Sequence, residues 1–114
     1  MPPFDAKYII EGQGTVGYEI YCQLKQHAPD FIFVPIGGGG LASGLITFCK
    51  SDFPETQIIG VEPAGAPAMY ESIKSNRIVV LDHIDSFVDG AAVKQVGKIT
   101  FDLCRNELDD LILV

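Results

Sequence analysis

The chain has 114 residues, of which 8 are basic and 15 acidic, giving a formal net charge of −7. That length holds one small domain, and 47% apolar against 20% charged residues excludes a disordered acidic tail. The basic side chains, Lys7, Lys25, Lys50, Lys74, Arg77, Lys94, Lys98 and Arg105, form no stripe that could neutralise a phosphate backbone, so nucleic acid is excluded as a partner.

Apolar runs such as Phe31–Ile36 fall far short of the roughly 18 consecutive residues that a membrane span needs, so no membrane is expected. The start, Met1-Pro2-Pro3-Phe4-Asp5, has neither the basic beginning nor the apolar stretch of a secretory signal. Cys22, Cys49 and Cys104 are odd in number and lack a Cys-x-x-Cys pair, so no disulfide framework or zinc knuckle is encoded. A cytoplasmic location and buried, inert thiols are expected.

In chain order, Val16, Ile20 and Leu24 recur at helical spacing, predicting a helix that runs to about Ala28. The β-branched and aromatic run Phe31–Ile36 predicts a strand, and Leu41–Cys49, after four glycines, a second helix. Past a polar turn at Pro54, Gln57–Glu62 reads as a buried strand that ends at Pro63. A short helix is expected over Ala66–Ser75 and a strand over Arg77–Leu81. Val96, Ile99, Leu103 and Glu107 predict a helix within Val93–Glu107, and Leu111–Val114 a last, buried strand. The alternation predicts an α/β domain with a mostly parallel sheet. Residues 1–114 contain no internal repeat or linker, and the apolar ending without a polar tail reads as a cut end.

The segment Phe31-Ile-Phe-Val-Pro-Ile-Gly37-Gly38-Gly39-Gly40-Leu41-Ala-Ser-Gly44 carries the strongest chemical signal. A strand that runs through four glycines into a helix presents unhindered backbone N–H groups at the positive end of a helix dipole, an arrangement suited to phosphate. An ordinary turn needs one or two glycines, and four in a row weaken folding unless something approaches the backbone closely. A nucleotide-hydrolysing loop would end in Gly-Lys-Ser/Thr, whereas this one continues Gly40-Leu41-Ala42. A second glycine motif, Gly12-Gln-Gly14-Thr-Val-Gly17, matches Gly-x-Gly-x-x-Gly. Its preceding strand would be at best Tyr8-Ile9-Ile10, and Asp30, the candidate ribose acid, precedes the next strand instead of ending it. The expected role is structural, with Thr15 capping a helix, Glu19 in its first turn and the glycines packing closely.

Pro3-Phe4-Asp5, Ile10-Glu-Gly-Gln-Gly-Thr15, Val34-Pro-Ile-Gly-Gly-Gly-Gly-Leu41, Ile59-Gly-Val-Glu-Pro63, Asp89-Gly-Ala-Ala-Val-Lys94 and Thr100-Phe-Asp-Leu-Cys104 stand in the order seen in threonine dehydratases. Over nearly its whole length the chain resembles that family and its serine racemase and serine dehydratase relatives. The resemblance implies part of a tryptophan-synthase-β-like domain, fold type II of the pyridoxal phosphate (PLP) enzymes. Pro-Pro-Phe-Asp and Ala-Val-Lys-x-Val-Gly look most like the biosynthetic threonine dehydratase of isoleucine biosynthesis. By the same resemblance, Gly37, Gly38, Gly39, Gly40 and the Leu41 amide match the donors to the PLP phosphate, and Gly90 a glycine beside the pyridine ring. Glu62 matches a carboxylate that in serine racemase binds a divalent cation together with the Ala66 carbonyl. The second carboxylate of that site is Ala68 here, so no metal is expected and Glu62 reads as a solvated or hydrogen-bonded strand-end residue. His27 and His83 match nothing catalytic and are expected at the surface.

The departures limit what the chain does by itself. The family's Ser-Phe-Lys, whose lysine carries the cofactor and abstracts a proton, is absent, as are the Ser-Ala-Gly-Asn and Ser-Gly-Ala-Asn stretches. Lys50 follows Phe48-Cys49, Lys74 follows Ser72-Ile73 and Lys94 follows Ala92-Val93, so no catalytic residue is expected in this chain. The reading is the central segment of the catalytic domain of a threonine dehydratase, inactive alone and associating with itself or with the rest of the domain. The alternatives are a non-catalytic phosphate-binding or complementing module and, third, a dinucleotide-binding oxidoreductase domain using Gly12–Gly17.

Overall fold

A computed structural model describes residues 5–25, 27–83 and 93–114. The order of elements is α1 (Lys7–Gln23), β1 (Phe31–Pro35), α2 (Gly40–Asp52), β2 (Gln57–Glu62), α3 (Ala68–Ser75), α4 (Lys98–Glu107) and β3 (Asp110–Leu113). The three strands form one sheet in the order β1-β2-β3, both pairs parallel, with Phe33 opposite Ile59 and Gly60 opposite Leu111. The expected α/β class with a parallel sheet is what the chain builds.

One face of the sheet carries the core. Ile32, Val34, Ile58 and Leu111 meet Leu45, Ile46 and Cys49 of α2, Met69 of α3 and Phe101 and Cys104 of α4. Gly60 is small for a reason: a Cβ there would lie 2.5 Å from Ile36 Cδ1 and 2.8 Å from Leu111 Cδ1. The parallel register puts Phe31, Phe33, Pro35, Ile59, Val61 and Ile112 on the opposite face. There Phe31 and Phe33 stack with ring centroids 6.3 Å apart, and Phe33 is 62% exposed. Pro35 is accommodated because β1 is an edge strand, where a missing N–H costs no ladder bond.

Several expectations are corrected. α1 begins at Lys7, so Thr15 is interior and caps nothing; its hydroxyl donates to the Gly12 carbonyl at 2.8 Å. Two of the three glycines pack closely: a Cβ on Gly17 would lie 2.8 Å from the Phe48 ring and one on Gly14 3.4 Å from the Gly44 carbonyl, whereas one on Gly12 would meet open space; opposite them, a Cβ on Gly44 would lie 2.7 Å from the backbone of Gln13 and Gly14. With Gly12, Gly14 and Gly17 all inside one helix, the Gly-x-Gly-x-x-Gly loop of a dinucleotide site is not built here. Arg77–Leu81 is not a strand, and β3 is the strand that pairs with β2 on the side away from β1. The Arg77–Leu81 backbone is satisfied irregularly, Val79 N–H donating to Ser72 Oγ at 2.9 Å and Leu81 N–H to the Lys94 carbonyl at 2.7 Å. The last helix lies within the expected range but starts only at Lys98, two residues after Val96, the first of the periodic residues, with Gly97 as its N-cap. β3 forms at the expected place but is not buried. Paired on one side only, it leaves Ile112, Leu113 and Val114 exposed, Val114 by 74%.

Candidate functional site

β1 ends at Pro35, and Ile36 closes it with a bond from its N–H to the Val61 carbonyl at 2.9 Å. The chain then turns through Gly37, Gly38 and Gly39 into α2, whose first residue is Gly40. The loop thus lies at the carboxyl end of a parallel sheet, where open α/β sheets receive ligands. Gly39 is the N-cap, at φ +101°, a left-handed conformation open to glycine and strained for other residues. It is also hemmed in, because a Cβ there would lie 2.9 Å from Met69 Cε and 2.9 Å from Thr100 Cβ. Conformation and space both demand glycine at this position.

Three helices start near this loop, and they are capped differently. Glu62, at the end of β2 and fully buried, accepts the Met69 N–H at 2.9 Å and the Tyr70 N–H at 2.8 Å, capping α3. Asp5 accepts the Lys98, Ile99 and Thr100 amides at 3.1, 2.7 and 3.2 Å, capping α4 from the far end of the chain. Among the described residues no side chain accepts from the first amides of α2; its first intrahelical bond is Ser43 N–H to the Gly39 carbonyl at 2.9 Å. The amides of Gly40, Leu41 and Ala42 therefore stand before the first helical acceptor, at a helix end with no acidic residue in its first turn. The arrangement can hold an oxyanion with backbone donors.

Neighbouring groups fix the loop. Thr100, fully buried, donates its hydroxyl to the Gly38 carbonyl at 2.7 Å and lies 3.2 Å from the Gly97 carbonyl. Burial pushes the Glu62 carboxyl up to about 7, against the pull of the Tyr70 and Met69 amides and with a smaller push from Glu71. Glu62 is thus hydrogen-bonded and not solvated. Both of its oxygens face backbone amides, and among the described residues no group of three His, Cys, Asp or Glu side chains gathers.

Gly37, Gly38, Gly39, Gly40 and Leu41 come together in this turn, whereas Gly90 lies outside the described residues. His27 and His83 are exposed, as expected. Of the thiols, Cys49 and Cys104 are buried, and burial pushes Cys104 up to about 12 despite a contact with the Ser43 hydroxyl. Cys22 is exposed, contrary to expectation. Lys50 is held in an ion pair with Glu107 at 2.8 Å on a different surface of α2. Thr100, Met69 and Asp5 had no signal as loop residues in the sequence, because none stands within 25 residues of it.

The chain belongs to the pyridoxal-phosphate dependent enzyme family, which it matches over residues 1–114. It is 54% identical over 112 residues to the biosynthetic L-threonine dehydratase IlvA of Halalkalibacterium halodurans, covering 98% of this chain and 27% of that protein. Among solved structures it resembles the processed form of threonine deaminase isoform 2 from Solanum lycopersicum. The TM-score is 0.93 with 47% identity, over 100% of this chain and 33% of that one. Maize serine racemase follows the same fold at a TM-score of 0.87 and 37% identity, over 96% of this chain and 33% of that one. The fold is that of the type II PLP enzymes, and the family's cofactor is PLP. The chain spans about a quarter of the length of the curated bacterial relatives it matches.

Proposed function

We propose that residues 1–114 are the central part of the catalytic domain of a biosynthetic threonine dehydratase, which converts L-threonine to 2-oxobutanoate and ammonia. In this reading Gly37, Gly38, Gly39, Gly40 and the Leu41 amide hold the phosphate of PLP, Gly90 lies beside its ring, and the chain is inactive alone. The observation that carries the reading is the uncapped start of α2 behind a glycine N-cap at φ +101°, beside two helices whose starts are capped by carboxylates. An anion arriving at this end of the sheet meets a helix dipole that no described side chain caps, and glycines without side chains let it reach the backbone.

The residues present fit the phosphate end of the cofactor. When bound, PLP supplies an electron sink for the removal of water from the amino acid. This chain contributes binding and orientation, from backbone amides at a rigid turn. It contributes no base at the reacting carbon, because the Ser-Phe-Lys motif is missing and Lys50 is committed to Glu107. In the cell the segment is cytoplasmic and works in association with the rest of its domain or with further copies.

A non-catalytic phosphate-binding or complementing module is the second reading, favoured by the chain's containing the whole loop-bearing unit within about a quarter of its relatives' length. Two measurements test these readings. Purified chain with added PLP is expected to turn over neither threonine nor serine, and turnover would overturn the inactive-segment reading. Titration with inorganic phosphate or PLP is expected to shift the Gly37–Ala42 amide resonances first, and unchanged resonances there would remove the anion site. Restored dehydratase activity on co-expression with the missing parts of a relative favours the enzyme segment over the independent module.

A further inference from the structure

We infer that Thr100 is a positioning residue for the anion-binding turn: its hydroxyl holds the Gly38–Gly39 peptide so that the Gly39 N–H stays available to a phosphate. The inference rests on the phosphate reading of the loop and adds to it a residue from another element. No cis peptide bond occurs among the described residues, so the Gly38 carbonyl and the Gly39 N–H lie on opposite sides of one planar unit. Thr100 Oγ1 donates to that carbonyl at 2.7 Å and thereby pulls it toward α4. The Gly39 N–H must then point away from α4.

This restraint matters because of the residues on either side. A peptide between two glycines can rotate as a unit at little steric cost, since neither residue has a Cβ to oppose the change. A loop of four glycines needs an external anchor if its donors are to be preorganised, and a buried hydroxyl on a rigid helix is one. Thr100 is itself held. Its N–H donates to Asp5 Oδ1 at 3.2 Å, and the same carboxylate receives the Ile99 N–H at 2.7 Å and the Lys98 N–H at 3.1 Å. The Thr100 Cβ lies where it would collide with any Cβ at position 39, so the hydroxyl and the methyl-bearing carbon act on consecutive glycines. The chain of contacts runs from Asp5 to the start of α4, to Thr100 and to the Gly38 carbonyl.

The test compares Thr100→Val, which keeps the shape and loses the donor, with Thr100→Ser, which keeps the donor. Inorganic phosphate is titrated into the full chain while the Gly37–Ala42 amides are followed by NMR. The width of the Gly39 resonance is also read before phosphate is added, as a report of microsecond-to-millisecond peptide rotation. Thr100→Val is expected to weaken phosphate binding about five- to tenfold, the usual effect of one lost hydrogen bond, and to broaden Gly39. Thr100→Ser stays within about twofold of the native chain, and Asp5→Asn falls between the two. Unchanged binding and an unchanged Gly39 resonance in Thr100→Val would overturn the inference. Should that variant fail to fold, the same null result in Asp5→Asn would overturn it. If the native chain shows no phosphate shifts, the anion reading fails on its own, and the Gly39 width in the phosphate-free variants still decides whether Thr100 positions the peptide.

Discussion

The two surfaces of the sheet's surroundings are finished to very different degrees. Around the glycine turn, Met69 and Thr100 close on Gly39, two carboxylates cap the adjacent helices, and every buried side-chain nitrogen or oxygen among the described residues has a partner. On the outer face, Phe31, Phe33 and Ile112 are exposed, and among the described residues the strands that bear them are the edges of the sheet. Parallel sheets are ordinarily covered on both faces. The contrast separates a turn whose polar groups satisfy one another from a face that the described residues leave uncovered.

The largest expected effect probes the finished side. Gly39→Val requires a left-handed residue with a side chain and puts its Cβ 2.9 Å from Met69 and Thr100. Strain and overpacking together should cost about 3 to 5 kcal/mol, measured by denaturant unfolding, with loss of phosphate binding in whatever folds. A loss below about 1 kcal/mol would mean the turn is looser than its contacts imply.

Next comes the pH dependence of Glu62. The folded state holds this proton up to about 7, whereas the unfolded chain releases it near 4.5. Between those values the native state binds more protons, so raising the pH favours unfolding. The stabilisation is fully present below about pH 4.5 and is lost as the pH rises through about 7, a decline on the order of 3 kcal/mol. Glu62→Gln should flatten that part of the stability profile, and an equally steep decline in the variant would assign it to another group.

The unfinished side predicts association. The native chain is expected to sediment as an oligomer, and Phe33→Lys to weaken that association about tenfold while changing monomer stability little, because Phe33 is already exposed. A dilute native monomer with concentration-independent unfolding would show that the open face is tolerated. The smallest effect concerns Lys50→Ala, which breaks the exposed pair with Glu107 and should alter stability by no more than about 0.5 kcal/mol.

Much of the fold was legible because it is written locally. The apolar segment after the four glycines located α2, the stretch after Pro63 located α3, and the β-branched runs located β1 and β2. The errors have a common origin. Arg77–Leu81 has strand composition, but its amides bond to the Ser72 hydroxyl and the Lys94 carbonyl instead of to a strand of the sheet. The start of α1 was missed because the glycines at 12, 14 and 17 look like a break, whereas contact with α2 makes Gly14 and Gly17 an asset.

By itself the sequence determined the alternation of strands and helices and the glycine turn between a strand and a helix, since both depend on neighbours along the chain. Only the tertiary structure decided which helix starts are capped and which is left open. Asp5 reaches α4 across 93 residues, and Thr100 reaches Gly38 across 62. Glu62 was legible as a strand-end residue, but its burial and its two amide partners follow from where α3 folds back. Hydrogen bonds between distant segments arise once packing has brought the elements together, and no local pattern of residue types encodes them.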